Sequence, residues 1–261
     1  MARKIVITSG KGGVGKTTVT ANLGSLLAKI GKSTLLVDLD FGLNNLDVAL
    51  GVENKIVFDL KDVIEGRCRV KQALIEDAKN GNLFVLPSGS LKSNGITGAQ
   101  VKLLLSGLDK IFDYILIDCP AGIDVGFHRA VSVADEAIVV TTPTLSSLKD
   151  ADTVISILKS YSLKKVNLVI NRMRGDLILN DKMMTALDIK NFLGIDLVGV
   201  IPEEDWLFLC NGGKLPKRSD SYKAIKTLAI NLDKNQTKLY DVTQKYSGFF
   251  GSIRRSLKKG V

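Results

Sequence analysis

Gly10, Gly15, Lys16 and Thr17 stand at the G-x-x-x-x-G-K-[ST] spacing of a phosphate-binding loop, inside the run GKGGVGKTT from Gly10 to Thr18. Each residue type has a chemical reason. Without Cβ atoms, Gly10, Gly12, Gly13 and Gly15 let the backbone curl around a phosphate, so that successive N–H groups, including those of Val14 and Thr18, point at negative charge. Lys16 then lies against the terminal phosphates of a nucleotide, and the Thr17 hydroxyl ligates the magnesium ion that those phosphates carry. The chemistry indicated is binding and hydrolysis of a nucleoside triphosphate with Mg2+.

Acids stand at two further points. Asp38 and Asp40 close the segment STLLVDLD, and Asp118 closes YILID. Carboxylates at the ends of parallel strands lie where ligands bind in open α/β sheets. There Asp118 fits an acid that holds magnesium through water, and the pair Asp38 and Asp40 suits a metal and water role. His128 is the single histidine, which excludes metal sites built from several, and phosphoryl transfer depends on positioning and charge more than on an imidazole base. Cys68, Cys119 and Cys210 are odd in number and widely separated, so neither a disulfide framework nor a CxxC metal site is expected.

These residues need a scaffold, and the hydrophobic pattern supplies one. Arg3 to Ser9 reads as a buried strand and Thr17 to Ile30 as a helix with Val19, Leu23, Leu26, Leu27 and Ile30 on its apolar face, so the loop has the strand before it and the helix after it that the motif requires. Further strands are expected at Ser33 to Asp38, Leu83 to Pro87, Tyr114 to Asp118, Glu136 to Pro143, Lys165 to Asn171 and Leu197 to Pro202. Helices are expected at Phe58 to Glu65, Ala99 to Leu108, Ser146 to Ser160 and Ser221 to Leu232. The fold class is α/β: one doubly wound, mostly parallel sheet with helices on both faces, spanning residues 1–240. No apolar stretch approaches the roughly 18 residues of a membrane-spanning helix, and the first strand begins too early for a secretory signal, so a cytoplasmic protein is expected.

Residues 241–261 change character. On a helix, Phe249, Phe250, Ile253, Leu257 and Val261 fall on one stripe, with Arg254, Arg255, Lys258 and Lys259 on the other faces. An aromatic apolar face beside a cationic one is the pattern of an interfacial membrane helix, and a formal net charge of +9 agrees with an anionic partner surface. DNA would explain the cations but would leave two adjacent phenylalanines exposed, so nucleic acid is the lesser partner.

One residue in the phosphate loop goes beyond the general motif. With Lys11 directly after the first glycine, GKGGVGKTT resembles the deviant Walker A signature of the MinD/ParA family of ATPases. DLDFGLNNLDVALG from Asp38 to Gly51 resembles switch I of the family's cell-division branch, DCPAG from Asp118 to Gly122 its switch II, and TTPTLSSLKDAD its partner-facing helix; the likeness covers about four fifths of the chain. The resemblance implies an ATP-bound homodimer in which Lys11 reaches the partner's phosphates. It implies that Asp40 orients the attacking water, that Asp38 supports the magnesium shell, and that Asn45 contacts the nucleotide side of the dimer. Asn171, with Arg172 beside it, would read the adenine edge, which an amide can do because it both donates and accepts, and the loop at Pro202 would pack beside the base. The implied setting is the inner face of the cell membrane, with a MinC-like septation inhibitor recruited and a MinE-like activator stimulating hydrolysis. The chain departs from the family at Asn44, where arginine is usual, and at Thr144 and Lys149, which replace glutamate and arginine. Within the same superfamily the alternatives are a ParA-type DNA-segregation ATPase and a flagellar-placement ATPase.

Overall fold

A computed structural model describes residues 1–41, 45–77, 80–89, 95–205, 207, 215–248 and 251. In chain order the elements are β1 (Arg3–Thr8), α1 (Lys16–Lys29), β2 (Thr34–Asp38), α2 (Asn45–Leu50), α3 (Leu60–Ile64), α4 (Val70–Ala73), β3 (Ile75–Glu76), β4 (Leu83–Leu86), α5 (Gly98–Ser106) and β5 (Tyr114–Asp118). They continue as α6 (Val125–Ser132), β6 (Glu136–Thr141), α7 (Leu145–Leu158), β7 (Lys165–Met173), α8 (Gly175–Ile178), α9 (Ala186–Leu193), β8 (Asp196–Pro202) and α10 (Asp220–Lys234). The eight strands form one sheet in the order β3-β4-β2-β5-β1-β6-β7-β8. All neighbours are parallel except the two-residue edge strand β3.

Parallel strands covered on both faces must be apolar throughout, and these are. Along β1, Ile5 and Ile7 face one way with Leu36, Leu116, Ile138 and Val140, and are covered by α1 and α10 through Val19, Leu23, Leu27, Ile225 and Leu228. Val6 faces the other way with Val37, Ile117, Val139 and Leu168, beneath Val101, Phe127, Leu148 and Ile189 of α5, α6, α7 and α9. Close approach of α1 to the sheet requires Gly24, because a Cβ there would run into the Leu36 side chain. The central strand β1 is flanked by β5 and β6, so chain direction across the sheet reverses at its carboxyl end, where such sheets bind ligands.

The strands and long helices lie where the hydrophobic pattern predicts them, with boundaries shifted by one or two residues. The helix expected from Phe58 begins at Leu60 because Asp59 and Asp62 close a capping box. The short helices α2, α4, α6 and α8 have no range among the helices expected from the sequence, and three further features differ. β3 is too short to carry a periodicity signal. α9 has a readable start and stop, in the Thr185–Asp188 capping box and in Gly194 at φ +66°, but no expected element was assigned there. Residues 241–247, grouped with the tail in the sequence, lie against the domain: Val242 and Tyr246 are buried, and Lys245 pairs with Asp220 at 3.0 Å. Phe249, Phe250, Ile253, Arg254, Arg255, Leu257, Lys258 and Lys259, expected from the sequence to face a membrane, lie outside the described residues, as do Asn44 and Cys210. Among the described residues no helix is long and apolar enough to cross a membrane.

Candidate nucleotide site

The loop from Gly10 to Gly15 leaves the carboxyl end of β1 and turns into α1, with Gly13 at φ +77° and Gly15 at φ +97°, backbone conformations that favour glycine. Gly10 packs so closely on α7 that a Cβ would strike the backbone carbonyl of Asp150, which fixes the loop to that helix. At the other end a Cβ on Gly15 would lie 2.5 Å from Asn171 Nδ2. Lys16 and Val14 are buried, whereas Lys11, Gly12 and Gly13 are exposed. Lys11 Nζ donates to Ser146 Oγ at 3.1 Å, in the first turn of α7.

Neighbouring strands bring the acids together. β2 and β5 pair with Asp38 opposite Asp118. Thr17 donates to Asp118 Oδ2 at 2.6 Å, and Thr20, one turn further along α1, donates to Oδ1 at 3.1 Å. Burial pushes the Asp38 carboxyl up to about 8, with repulsion from Asp118 adding to it. Burial likewise pushes Asp118 up to about 6, against the Thr17 hydrogen bond and the Lys16 charge. Asp40 is raised by burial, with Lys16 opposing. Two adjoining buried carboxyls, Asp38 and Asp118, and the Thr17 hydroxyl form an oxygen donor set that a hard divalent cation completes, so the residues present fit Mg2+. The Asp40 N–H donates to Asp38 Oδ1 at 2.8 Å, which holds the two acids in one turn.

The base side is built by an irregularity in β7. Its register against β8 shifts between Ile170 and Met173, and Arg172 takes a left-handed φ of 59°, uncommon for a side-chain-bearing residue. β7 therefore extends two residues beyond the predicted end at Asn171, and the bulge aims Asn171 at the phosphate loop. Asn171 Nδ2 donates to the Val14 carbonyl at 2.8 Å, which sets the amide orientation. Its Oδ1 is buried without a hydrogen-bond partner. A buried acceptor with nothing to accept fits a ligand N–H such as the exocyclic amine of adenine. Gly15, Thr18, Asn171, Arg172, Glu203 and Leu207 line a small cleft there, and Pro202, which closes β8 directly before Glu203, pairs with Met173. Asn45 stands exposed at the start of α2, beyond the Asp40 turn.

Two residues resolve as scaffold. Cys119 is buried, its thiol pushed up to about 12 by desolvation, which makes it inert as a nucleophile. His128 lies on α6 with its Nδ1 engaged by the Tyr161 hydroxyl. Sequence reasoning did not single out Ser146, the partner of Lys11, or Thr20, the second donor to Asp118. Thr20 was findable, since it follows Lys16 by four residues and so shares its face of α1.

The comparisons agree with this geometry. A family profile described as the CobQ/CobB/MinD/ParA nucleotide binding domain matches residues 5–211. The septum site-determining protein MinD of Synechocystis sp. is 40% identical over 266 residues, an alignment covering 100% of both chains. Among solved structures, the MinC:MinD cell division protein complex of Aquifex aeolicus matches with a TM-score of 0.84 at 40% identity, over 91% of this chain and 98% of that one. MinD of Pyrococcus horikoshii, complexed with Mg-ADP, matches with a TM-score of 0.79 at 31% identity, over 90% of this chain and 97% of that one. The signature lysine, the paired strand-end acids and likeness along the whole chain lead to one assignment: the chain belongs to the MinD family of septum site-determining proteins.

Proposed function

We propose that this chain is a Mg2+-dependent ATPase that dimerises on ATP and governs division-site placement at the inner face of the cell membrane. The observation that carries the reading is the convergence of Lys16, Thr17, Asp38, Asp40 and Asp118 at the carboxyl ends of β1, β2 and β5, with Lys11 exposed at its rim. Bound through Thr17 and water held by Asp38 and Asp118, magnesium would supply charge neutralisation on the β- and γ-phosphates. Lys16 stabilises the developing negative charge from within the chain, and Lys11 does so from the partner copy. Asp40, set on the turn between the strand and α2, orients the attacking water. Asn171 selects adenine by accepting from its amine, flanked by Arg172 and Pro202, while Asn45 meets the nucleotide from the dimer side.

The end of the molecule that carries Lys11 suits a second copy. Ile123, Val125 and Leu145, which follow β5 and β6, are 38%, 75% and 79% exposed. Apolar side chains left in water around a phosphate site favour closure of two such ends on one another. The helix α7 that receives Lys11 also presents Lys149 and Leu145, and is the face proposed for a MinC-like inhibitor and a MinE-like activator. Its Thr144 is the N-cap, donating no charge where relatives place an acid, so the charge expected of a matching partner here is more negative. The cationic, aromatic tail supplies membrane attachment that is weak singly and firm when dimerisation pairs it.

Pelleting with anionic vesicles tests the reading as a whole, using the full chain and a chain ending at Gly248, each with Mg-ATP and with Mg-ADP. Pelleting in ATP alone, dependent on the tail and accompanied by phosphate release, is the expected result. A chain that stays in the supernatant with ATP and retards DNA instead would replace this reading with a partition-type ATPase.

A further inference from the structure

Asp40 is fixed from two directions. On its amino side Leu39 is buried and its N–H donates to the Asp118 carbonyl at 3.0 Å, and the Asp40 N–H is taken by Asp38. On its carboxyl side stands Phe41, half-buried, and the guanidinium of Arg129 lies over that ring, 5.1 Å from its centroid. Arg129 belongs to α6, whose N-cap Asp124 accepts from Phe127 N–H at 3.1 Å and directly follows the DCPAGI turn after β5. The Arg129–Phe41 stack therefore ties the turn after β2 to the helix after β5. Leu39, Asp40, Phe41, Pro120, Asp124 and Arg129 share the lining of one cleft of about 560 Å3.

We infer that Arg129 is a positioning residue for Asp40: by stacking on Phe41 it sets the backbone from which the carboxylate meets the attacking water, and it carries any displacement of the Pro120–Asp124 turn to that carboxylate. The inference rests on the water-orienting role proposed for Asp40. A guanidinium over an aromatic face is held by the ring quadrupole and, being planar, also fixes ring orientation, which a lysine does less well. Rate depends steeply on placement, since a misplacement of about 1 Å can cost on the order of a hundredfold.

The test is steady-state Mg-ATP hydrolysis by the full chain on anionic vesicles, with melting temperature and sedimentation recorded for each variant. Arg129→Ala is expected to lower kcat about tenfold while KM for ATP stays within about twofold, because the phosphate loop and Asn171 are left intact. Phe41→Leu should do the same, and the double variant should be no worse than either single one, since both remove one contact. Phe41→Tyr should retain kcat, and Arg129→Lys should recover it in part. A merely structural role would lower melting temperature and raise KM without this pattern of rescue, and should Arg129→Ala fail to fold, Phe41→Leu and Phe41→Tyr carry the comparison. Asp40→Asn separates the two levels. If it retains wild-type hydrolysis, the role given to Asp40 fails and this inference with it. If it abolishes hydrolysis while Arg129→Ala and Phe41→Leu keep kcat within twofold, this inference alone is overturned.

Discussion

Asn171 and Asp38 show how single residues divide the work between binding and stability. Asn171 is buried and spends its amide donor on the Val14 carbonyl, while its buried oxygen has no hydrogen-bond partner, as the adenine reading proposed above requires. An acceptor in that place favours adenine, which offers an amine, over guanine, which offers a carbonyl at the same edge. Asn171→Ala is expected to raise KM for ATP about tenfold, the equivalent of one lost charge-free recognition contact, and to narrow the preference for ATP over GTP by a similar factor. Competition of GTP against labelled ATP measures this, and an unchanged preference would remove Asn171 from base recognition. Asp38 presents the opposite case. Its carboxyl is desolvated beside Asp118, so in the nucleotide-free fold it is a cost that a cation offsets. Asp38→Asn keeps an oxygen to accept from the Asp40 N–H and removes the repulsion. Nucleotide-free protein should then melt higher by on the order of 5 °C, while the added stabilisation by Mg-ATP and the hydrolysis rate fall. A lower melting temperature without nucleotide would show that the carboxyl pair is not strained. At this scale the sequence was informative for Lys16, Thr17 and Asp118, whose types and spacing are dictated by phosphate and metal. It was silent on Ser146 and Arg129, because their partners Lys11 and Phe41 are 135 and 88 positions away and no local pattern marks such contacts.

At the scale of elements, placement of the site depends on how tightly the phosphate loop and α7 are fitted together. A Cβ on the loop's first glycine would strike the Asp150 carbonyl of α7, while one on its third residue, Gly12, would meet among the described residues only the Ala121 Cβ, at 3.9 Å. The two glycines thus differ in what a methyl group would do. Gly10→Ala must push α7 off the loop and is expected to cost about 2 kcal/mol, seen as a lower urea midpoint at unchanged m-value. Gly12→Ala should leave that midpoint within error, since its methyl meets only an ordinary contact, and as a change in the proposed phosphate loop it should weaken ATP binding. Equal midpoints for both variants would mean that the α7 contact yields easily and does not fix the loop. Elements with a long, clean period were legible: β1, β5, β6 and α1 lie within one or two residues of expectation, since a doubly covered strand has to be apolar throughout and a sheet-covering helix has to repeat every three to four residues. The bulge in β7 was not. Its only trace in the sequence is an asparagine before an arginine, and the left-handed Arg172 is imposed by pairing with β8 rather than by local preference.

For the whole molecule, we propose that burial sets the boundary between folded domain and tail and places it later than the change in composition implies. Charge and aromatic content shift near residue 241, but a charged stretch can still dock when a few apolar residues anchor it. Here Val242 and Tyr246 are the anchors, Gly175 of α8 lies flush against the Val242 carbonyl, and Lys245 joins Asp220 at 3.0 Å and Glu204 at 3.9 Å. Glu204 in turn accepts from the Ser221 N–H at 2.8 Å, at the start of α10. Removing residues 241–248 would expose that face and take the Lys245 cation from Glu204 and Asp220, leaving Asp220 with Lys223 at 3.2 Å. A chain ending at Tyr240 is therefore expected to lose about 3–5 kcal/mol, comparable to truncating a buried aromatic, and to melt on the order of 10 °C lower. A chain ending at Gly248 keeps every one of these contacts and should melt within about 2 °C of the full protein, with its nucleotide affinity intact. Calorimetry of the three chains decides the point. If the chain ending at Gly248 melts as low as the one ending at Tyr240, residues beyond 248 contribute to the fold and cannot serve solely as a membrane anchor. If all three melt together, the segment from Val242 to Tyr246 is not part of the cooperative domain, and the tail begins where the composition changes.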